Sequence, residues 1–265
     1  MKTYFVDSFT NQKFKGNPAA VCLCEHDLEP GLMQNIATEI GFSETAFIKQ
    51  LQGNTYSIRF FTPKQEIPLC GHATLAASKI IFEYNSFETI VFINCENIEL
   101  PISKYEGKIV MQFPVYDLGP INVPQSVLDA LGIQNITTSF YNEKTKIILI
   151  EIEDSNVLAK LNPDYSALLK SHSGINGVLV TSVSATPDYD FHYRYFWPWA
   201  GTNEDPVTGG VQTFLTKYWA TKLHKTELQV YQSSQRSGTM STALIEDKVF
   251  IYGEAVIVFE GDFKN

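Results

Sequence analysis

Two residues apart, with one glycine between them, stand a thiol and an imidazole: Cys70-Gly71-His72. Both side chains can carry protons or act as nucleophile and base near neutral pH. Ahead of them, Tyr56 to Phe61 is aromatic and β-prone, which predicts a strand. Behind them, Ala73, Ala76, Ala77, Ile80, Ile81 and Tyr84 recur at helical spacing, which predicts one apolar helical face. The segment from Pro63 to Leu75 is therefore expected to be a strand end, a tight loop and the first turn of a buried helix. Gly71 lets the backbone come close to a ligand. A helix start offers unpaired N–H groups and partial positive charge, so this junction suits a carboxylate.

A second junction of the same kind lies downstream. Glu204-Asp205-Pro206-Val207-Thr208-Gly209-Gly210 follows a strand-like run and is expected to open another helix, where Val211, Phe214, Leu215, Tyr218 and Trp219 recur at helical spacing. Two such units predict two similar lobes, with both helix starts facing one ligand in a cleft.

The 265 residues suffice for two domains, and 44% hydrophobic content supplies their cores. The net charge is −9 with no Lys/Arg cluster, which argues against nucleic acid or an anionic membrane as partner. No apolar run approaches the ~20 residues of a membrane span. Met1 to Asp7 meets an acid too early for a signal peptide, and the four cysteines form no disulfide framework, so a reduced cytoplasmic protein is expected.

The elements that must position these residues follow in order. Strands are expected at 3–9, 19–23, 42–48, 56–61, 89–94, 98–103 and 109–113, with a helix from Pro30 that Gly41 ends. Leu32, Met33, Ile36, Ala37 and Ile40 are its expected buried side. Pro114, Gly119, Pro120 and Pro124 mark a linker between a lobe at 1–115 and another at 116–265. Helices are expected at 125–131, stopped by Gly132, and from Asn162-Pro163 to Lys170, with Asn162 as the N-cap. Strands are expected at 146–152, 177–183, 190–197, 228–232, 242–245, 249–252 and 255–259. The class is α+β, each lobe a curved sheet around one central helix.

Several motifs resemble one family. Phe14-Lys15-Gly16-Asn17-Pro18-Ala19-Ala20-Val21, Ser43-Glu44-Thr45-Ala46-Phe47, Arg59-Phe60-Phe61-Thr62-Pro63, Leu69-Cys70-Gly71-His72-Ala73-Thr74 and Glu204-Asp205-Pro206-Val207-Thr208-Gly209 look like the PhzF family of phenazine-biosynthesis-type isomerases. The stretches Gln235 to Gly238 and Tyr252 to Val256 resemble that family's ending. The resemblance implies a diaminopimelate epimerase-like fold with two pseudo-symmetric, mostly antiparallel lobes. It implies that the last strand, near 255–265, packs back on the first lobe, and that the protein is a homodimer. It also implies cofactor-independent isomerisation of a small, carboxylated metabolite, with Glu44 as catalytic acid/base assisted by His72 and Asp205. Gly71, Ala73, Gly209 and Gly210 are then the substrate-binding backbone, and no metal or other cofactor is expected. The family's founding member has Ser where this chain has Gly210, so a side-chain hydroxyl contact to the founder's own substrate is missing here.

Each assignment has a plainer rival. Glu44 taken alone is a solvent-facing strand acid; in the motif its apolar neighbours are expected to raise its pKa into a useful range. His72 could simply cap its loop, Asp205 could be an ordinary helix-start acid, and the glycines could serve turn geometry alone. Parent-fold racemases use two facing thiols, but no cysteine occurs between Thr202 and Gly210, which disfavours that chemistry. A Cys70–His72 pair is disfavoured too, since residues two apart at a helix start point apart. Cys22, Cys24, Cys70 and His72 lack a metal-ligand spacing. Tyr193, Tyr195 and Trp197 read as packing on one strand face, with Arg194 on the other as a conceivable carboxylate ligand. An epimerase or racemase on the same fold, or a non-catalytic binding protein, remain the competing functions.

Overall fold

The computed structural model describes residues 1–264. In chain order it begins β1 (Lys2–Ser8), β2 (Asn17–Leu23), α1 (Pro30–Ile40), β3 (Thr45–Gln52), β4 (Thr55–Phe61), β5 (Glu66–Ile67), α2 (Gly71–Tyr84), β6 (Thr89–Ile93), β7 (Glu99–Tyr105) and β8 (Lys108–Pro114). It continues with β9 (Gly119–Pro120), α3 (Gln125–Leu131), β10 (Thr138–Asn142), β11 (Ile147–Glu151), α4 (Ser155–Lys160), α5 (Tyr165–Ser171), β12 (Gly177–Val183), β13 (Phe191–Phe196) and β14 (Glu204–Asp205). The last elements are α6 (Gln212–Leu223), β15 (Glu227–Gln232), β16 (Gly238–Ile245), β17 (Lys248–Gly253) and β18 (Ala255–Asp262). Two compact units result: Met1–Phe113 with Phe250–Asn265, and Pro114–Val249.

In the first unit β1 pairs antiparallel with both β18 and β2, β2 runs parallel to β3, β3 antiparallel to β4, β4 parallel to β6, and β6 antiparallel to β7. The short β5 adds to β4 antiparallel. In the second unit β10 is antiparallel to β11, β11 parallel to β12, β12 antiparallel to β13, β13 parallel to β15, and β15 antiparallel to β16. There the short β14 adds to β13 antiparallel. The same sequence of parallel and antiparallel pairings thus occurs twice, with α2 and α6 each inserted after the short strand.

The repeat extends to side chains. Arg59 on β4 makes two 2.7 Å bonds to Glu66 on β5, and Arg194 on β13 makes two to Glu204 on β14. Arg194 is therefore already occupied by a carboxylate of its own chain. Its remaining nitrogen donates to the Leu161 carbonyl at 2.6 Å.

The helix α2 is buried nearly all round: Ala73, Leu75, Ala76, Ala77, Ile80, Ile81 and Phe82 join its core face. Its internal polar groups are satisfied within the helix, Thr74 Oγ1 donating to the Cys70 carbonyl at 2.7 Å and Ser78 Oγ to the Thr74 carbonyl at 2.7 Å. Tyr84, expected on the apolar face, is exposed, because the helix ends there and the sheet no longer covers it. In α1, Met33, Ile36 and Ala37 are buried but Leu32 faces out, since one stripe alone meets the sheet. Gly41 closes α1 in the left-handed conformation as expected.

Other boundaries moved for local reasons. The helix expected to start at Asn162-Pro163 starts at Tyr165, because Asp164 takes the N-cap and accepts from the Ala167 N–H at 2.9 Å. The short helix α4 was not expected; Asp154 caps it, accepting from the Asn156 N–H at 2.7 Å. The strand β10, also unforeseen, is only half-buried and carries a weak apolar pattern. Among the described residues no helix is long and apolar enough to cross a membrane.

Candidate active site

Glu44 lies one residue before β3 rather than inside a strand, and its carbonyl accepts from the Ala20 N–H of β2 at 3.3 Å. It is 4% exposed, so the solvent-facing reading fails. Its Oε2 stands 3.1 Å from Nε2 of His72, the second residue of α2. Ser43 Oγ lies 3.5 Å from the same nitrogen. Cys70 Sγ lies 3.5 Å from His72 Nδ1 and 4.0 Å from Nε2. The expectation that Cys70 and His72 point apart was therefore wrong. Cys70 is the N-cap, in extended conformation at φ −146° and ψ 113°, so its side chain is not set by helical geometry.

The support beneath these groups is polar and buried. Ser8 Oγ, at the end of β1, donates to the His72 carbonyl at 2.8 Å. Asp7 beside it holds the Phe14 N–H at 2.6 Å, which folds the Phe14–Pro18 motif over the same strand end. In that motif Gly16 has φ +66°, and a Cβ there would lie 2.1 Å from the Ser8 carbonyl oxygen. This glycine is demanded by both backbone and space. Gly71 is not: a Cβ on it would meet only the Phe113 ring at 3.7 Å.

Electrostatics reverse one expectation. Burial pushes the Glu44 carboxyl up, but the charge of His72 and polar contacts from His72, Ser43 and Cys70 outweigh it, and its pKa falls below 4.5. Burial would lower His72; its contacts with Cys70 and Glu44 outweigh that, and the imidazole stands well above 6.5. Burial raises the Cys70 thiol, and so does the Glu44 charge, with His72 opposing both. Near neutral pH the group is an anionic Glu44 beside a cationic His72 and a protonated thiol. A carboxylate with a cationic neighbour is ready to accept a proton, and His72 is ready to stabilise negative charge on a ligand. Glu44, Cys70 and His72 also bring one potential metal-ligating atom each within 4.8 Å of the others.

The second unit holds the other predicted residues. Asp205 ends β14 and accepts from the Thr208 hydroxyl. Its loop is clamped from beneath by β15 and β13. Gln232 Nε2 donates to the Asp205 carbonyl at 2.6 Å, while its Oε1 accepts from the Thr208 N–H at 2.7 Å. Tyr193 OH donates to the Thr208 carbonyl at 2.9 Å. The helix α6 begins at Gln212, later than expected, because the Gly209 and Gly210 carbonyls accept from the Gln212 and Thr213 N–H groups in a tight preceding turn. Gly210 has open space where a Cβ would sit.

Comparison with known proteins places these motifs. The family described as phenazine biosynthesis-like proteins, PhzC-PhzF, matches residues 6–261. The chain belongs to the PhzF family. An uncharacterised isomerase of Halalkalibacterium halodurans is 41% identical over 263 residues, which covers 98% of this chain and 97% of that protein. The crystal structure of a PhzF-family protein from Enterococcus faecalis superposes with a TM-score of 0.93 at 36% identity, covering 100% of this chain and 99% of that one. A hydroxyproline epimerase from Agrobacterium vitis, 9% identical with a TM-score of 0.56 over 98% of this chain and 90% of that one, shares the fold alone. The PhzF-family protein is thus an isomerase by class, on the epimerase-like α+β fold.

Around the predicted residues of the two units, Ser8, Ser43 and Cys70 in the first and Tyr193, Thr208 and Gln232 in the second were not singled out from sequence for the contacts they make. Ser43 and Cys70 had a signal, since each lies within two residues of a predicted catalytic group. Gln232 had none: its role arises only because β15 pairs beside β13.

Proposed function

We propose that this PhzF-family isomerase moves a proton between carbons of a small carboxylated metabolite, with Glu44 as the acid/base. The observation that carries the reading is the buried Glu44 carboxylate 3.1 Å from His72 at the start of the central helix α2. A C–H proton passes to Glu44, the electron pair moves into the substrate's π system, and Glu44 returns the proton at another carbon. Charge that develops on the substrate is stabilised by cationic His72. The Gly71 and His72 N–H groups precede the first intrahelical bond, Thr74 N–H to the Cys70 carbonyl at 2.9 Å, and would face a substrate carboxylate, while the Ala73 N–H is directed at the Cys70 sulfur. Assigning Asp205, Gly209 and Gly210 to the same substrate rests on the motif resemblance. So does the carboxylated character of that substrate.

The test is turnover in D₂O without added cofactor, screening cyclic and amino-acid-derived carboxylates by NMR. Double-bond migration with deuterium uptake is expected in the native protein. In Glu44→Gln the rate should fall by the ~10²–10⁴ typical of acid–base catalysis. Inversion at one carbon would make the protein an epimerase instead. Undiminished turnover by Glu44→Gln would end the assignment, as would a strict requirement for a nucleotide cofactor.

A further inference from the structure

We propose that Glu44, Cys70 and His72 form a chelating site for a thiophilic divalent cation of the Zn²⁺ class, which inhibits the proton chemistry by occupying its groups. Cation binding rests on donor geometry alone, and its inhibitory effect rests on the isomerase reading. A carboxylate oxygen, a sulfur and a ring nitrogen come within 4.8 Å of one another. The same nitrogen, His72 Nε2, faces both Glu44 Oε2 at 3.1 Å and Cys70 Sγ at 4.0 Å. Zinc bonds of about 2.0–2.3 Å to nitrogen, oxygen and sulfur span such separations with small side-chain rotations.

A second observation points to a ligand. Glu44 Oε2 is buried and has no hydrogen bond of standard geometry, its close partner being His72 Nε2 at 3.1 Å in an ion pair. A carboxylate oxygen whose lone pairs are not taken up by standard hydrogen bonds retains acceptor capacity for a cation from outside the chain. The donor set of sulfur, nitrogen and one oxygen selects zinc, cobalt or copper over magnesium or calcium, which prefer oxygen alone. The scaffold is firm. Cys70 and His72 flank the start of the buried helix α2, Ser8 anchors the His72 carbonyl, and Glu44 is tied to β2. The cation displaces the Cys70 thiol proton and one His72 ring proton to solvent as it binds, and three protein ligands leave a fourth position open, the arrangement of sites that exchange water for an anionic ligand. Cation and substrate would therefore compete for Glu44 and His72.

Titration of the full, reduced chain with Co²⁺ in chelator-treated buffer tests this without any substrate. A thiolate-to-cobalt charge-transfer band in the near ultraviolet should saturate at one equivalent and disappear on adding Zn²⁺. The band should be absent in Cys70→Ser, and Co²⁺ affinity should fall by about tenfold or more in Glu44→Gln, which keeps the thiol. Cys95→Ser, which removes the exposed thiol, should bind as the native chain does. Far-ultraviolet circular dichroism establishes that each variant is folded. No band in the native chain, a band kept by Cys70→Ser, or one lost in Cys95→Ser would overturn the proposal. Absence of the band leaves the isomerase assignment standing, since its own test reads turnover.

Discussion

Glu44 is a base whose strength is set by its neighbour. With its pKa held below 4.5 and that of His72 above 6.5, both charged forms coexist across the interval between. The acid limb of kcat/KM is expected below pH 4.5, with a flat profile from there to 6.5. An acid inflection near pH 6, as an isolated carboxyl raised by burial would give, would contradict the ion pair. The same shifts act on folding. The lowered Glu44 contributes stability that is present above its unfolded value and lost as pH falls through its folded one. The raised His72 contributes stability that is complete below its unfolded value and lost as pH rises through its folded one. Thermal melts against pH should show the pair's contribution greatest between 4.5 and 6.5, and the His72→Asn variant should flatten that dependence.

The two glycine-bearing loops differ in what they demand. Gly16 combines φ +66° with a Cβ position 2.1 Å from the Ser8 carbonyl, so Gly16→Ala must displace the strand end that anchors His72. A loss of roughly 1–3 kcal/mol is expected, read by denaturant unfolding. Gly210→Ser meets open space and should shift stability by no more than about 0.5 kcal/mol. Equal effects of the two would show that loop sterics are not the distinction.

Burial likewise separates the repeated ion pairs between strands. The Arg194 and Glu204 side chains are 8% and 14% exposed, those of Arg59 and Glu66 28% and 27%. Arg194→Ala strands a largely buried carboxylate and should cost about 3–5 kcal/mol. Arg59→Ala, whose partner can rehydrate, should cost at most about 1 kcal/mol. Comparable midpoints for the two variants in urea would refute this ranking.

At the scale of the whole molecule, the first unit is not one continuous piece of chain. Residues 250–265 belong to it, and β18 pairs with β1 from Lys2↔Asp262 to Ser8↔Ala255. The Phe9 N–H also donates to the Glu254 carbonyl at 2.8 Å. A fragment ending at Phe113 would leave β1 as an unpaired edge and uncover Leu75, against which Gly253 packs. Such a fragment is expected to aggregate or remain unfolded by circular dichroism, and addition of residues 250–265 in trans or by fusion should restore its fold. Cooperative folding of 1–113 alone would show that the returning segment is dispensable.

Much of this molecule was legible from local signals. The strand–loop–helix junctions at Cys70 and Asp205 could be read because aromatic strand residues, glycines and helical periodicity lie close together in sequence, and α1 and α3 because Pro30, Gly41 and Gly132 mark their ends by backbone chemistry. The motif resemblance named Glu44 and His72, which do meet. Tertiary structure decided what depends on distant partners or on one dihedral angle. Cys70 reaches His72 because an N-cap residue is extended, a conformation that spacing does not reveal. Glu44 has a lowered rather than raised pKa because the apolar flanks seen in sequence matter less than a cation delivered by another element. Gln232 can clamp the Asp205–Thr208 loop only once β15 has paired beside β13, a long-range contact for which Gln232 carries no local mark.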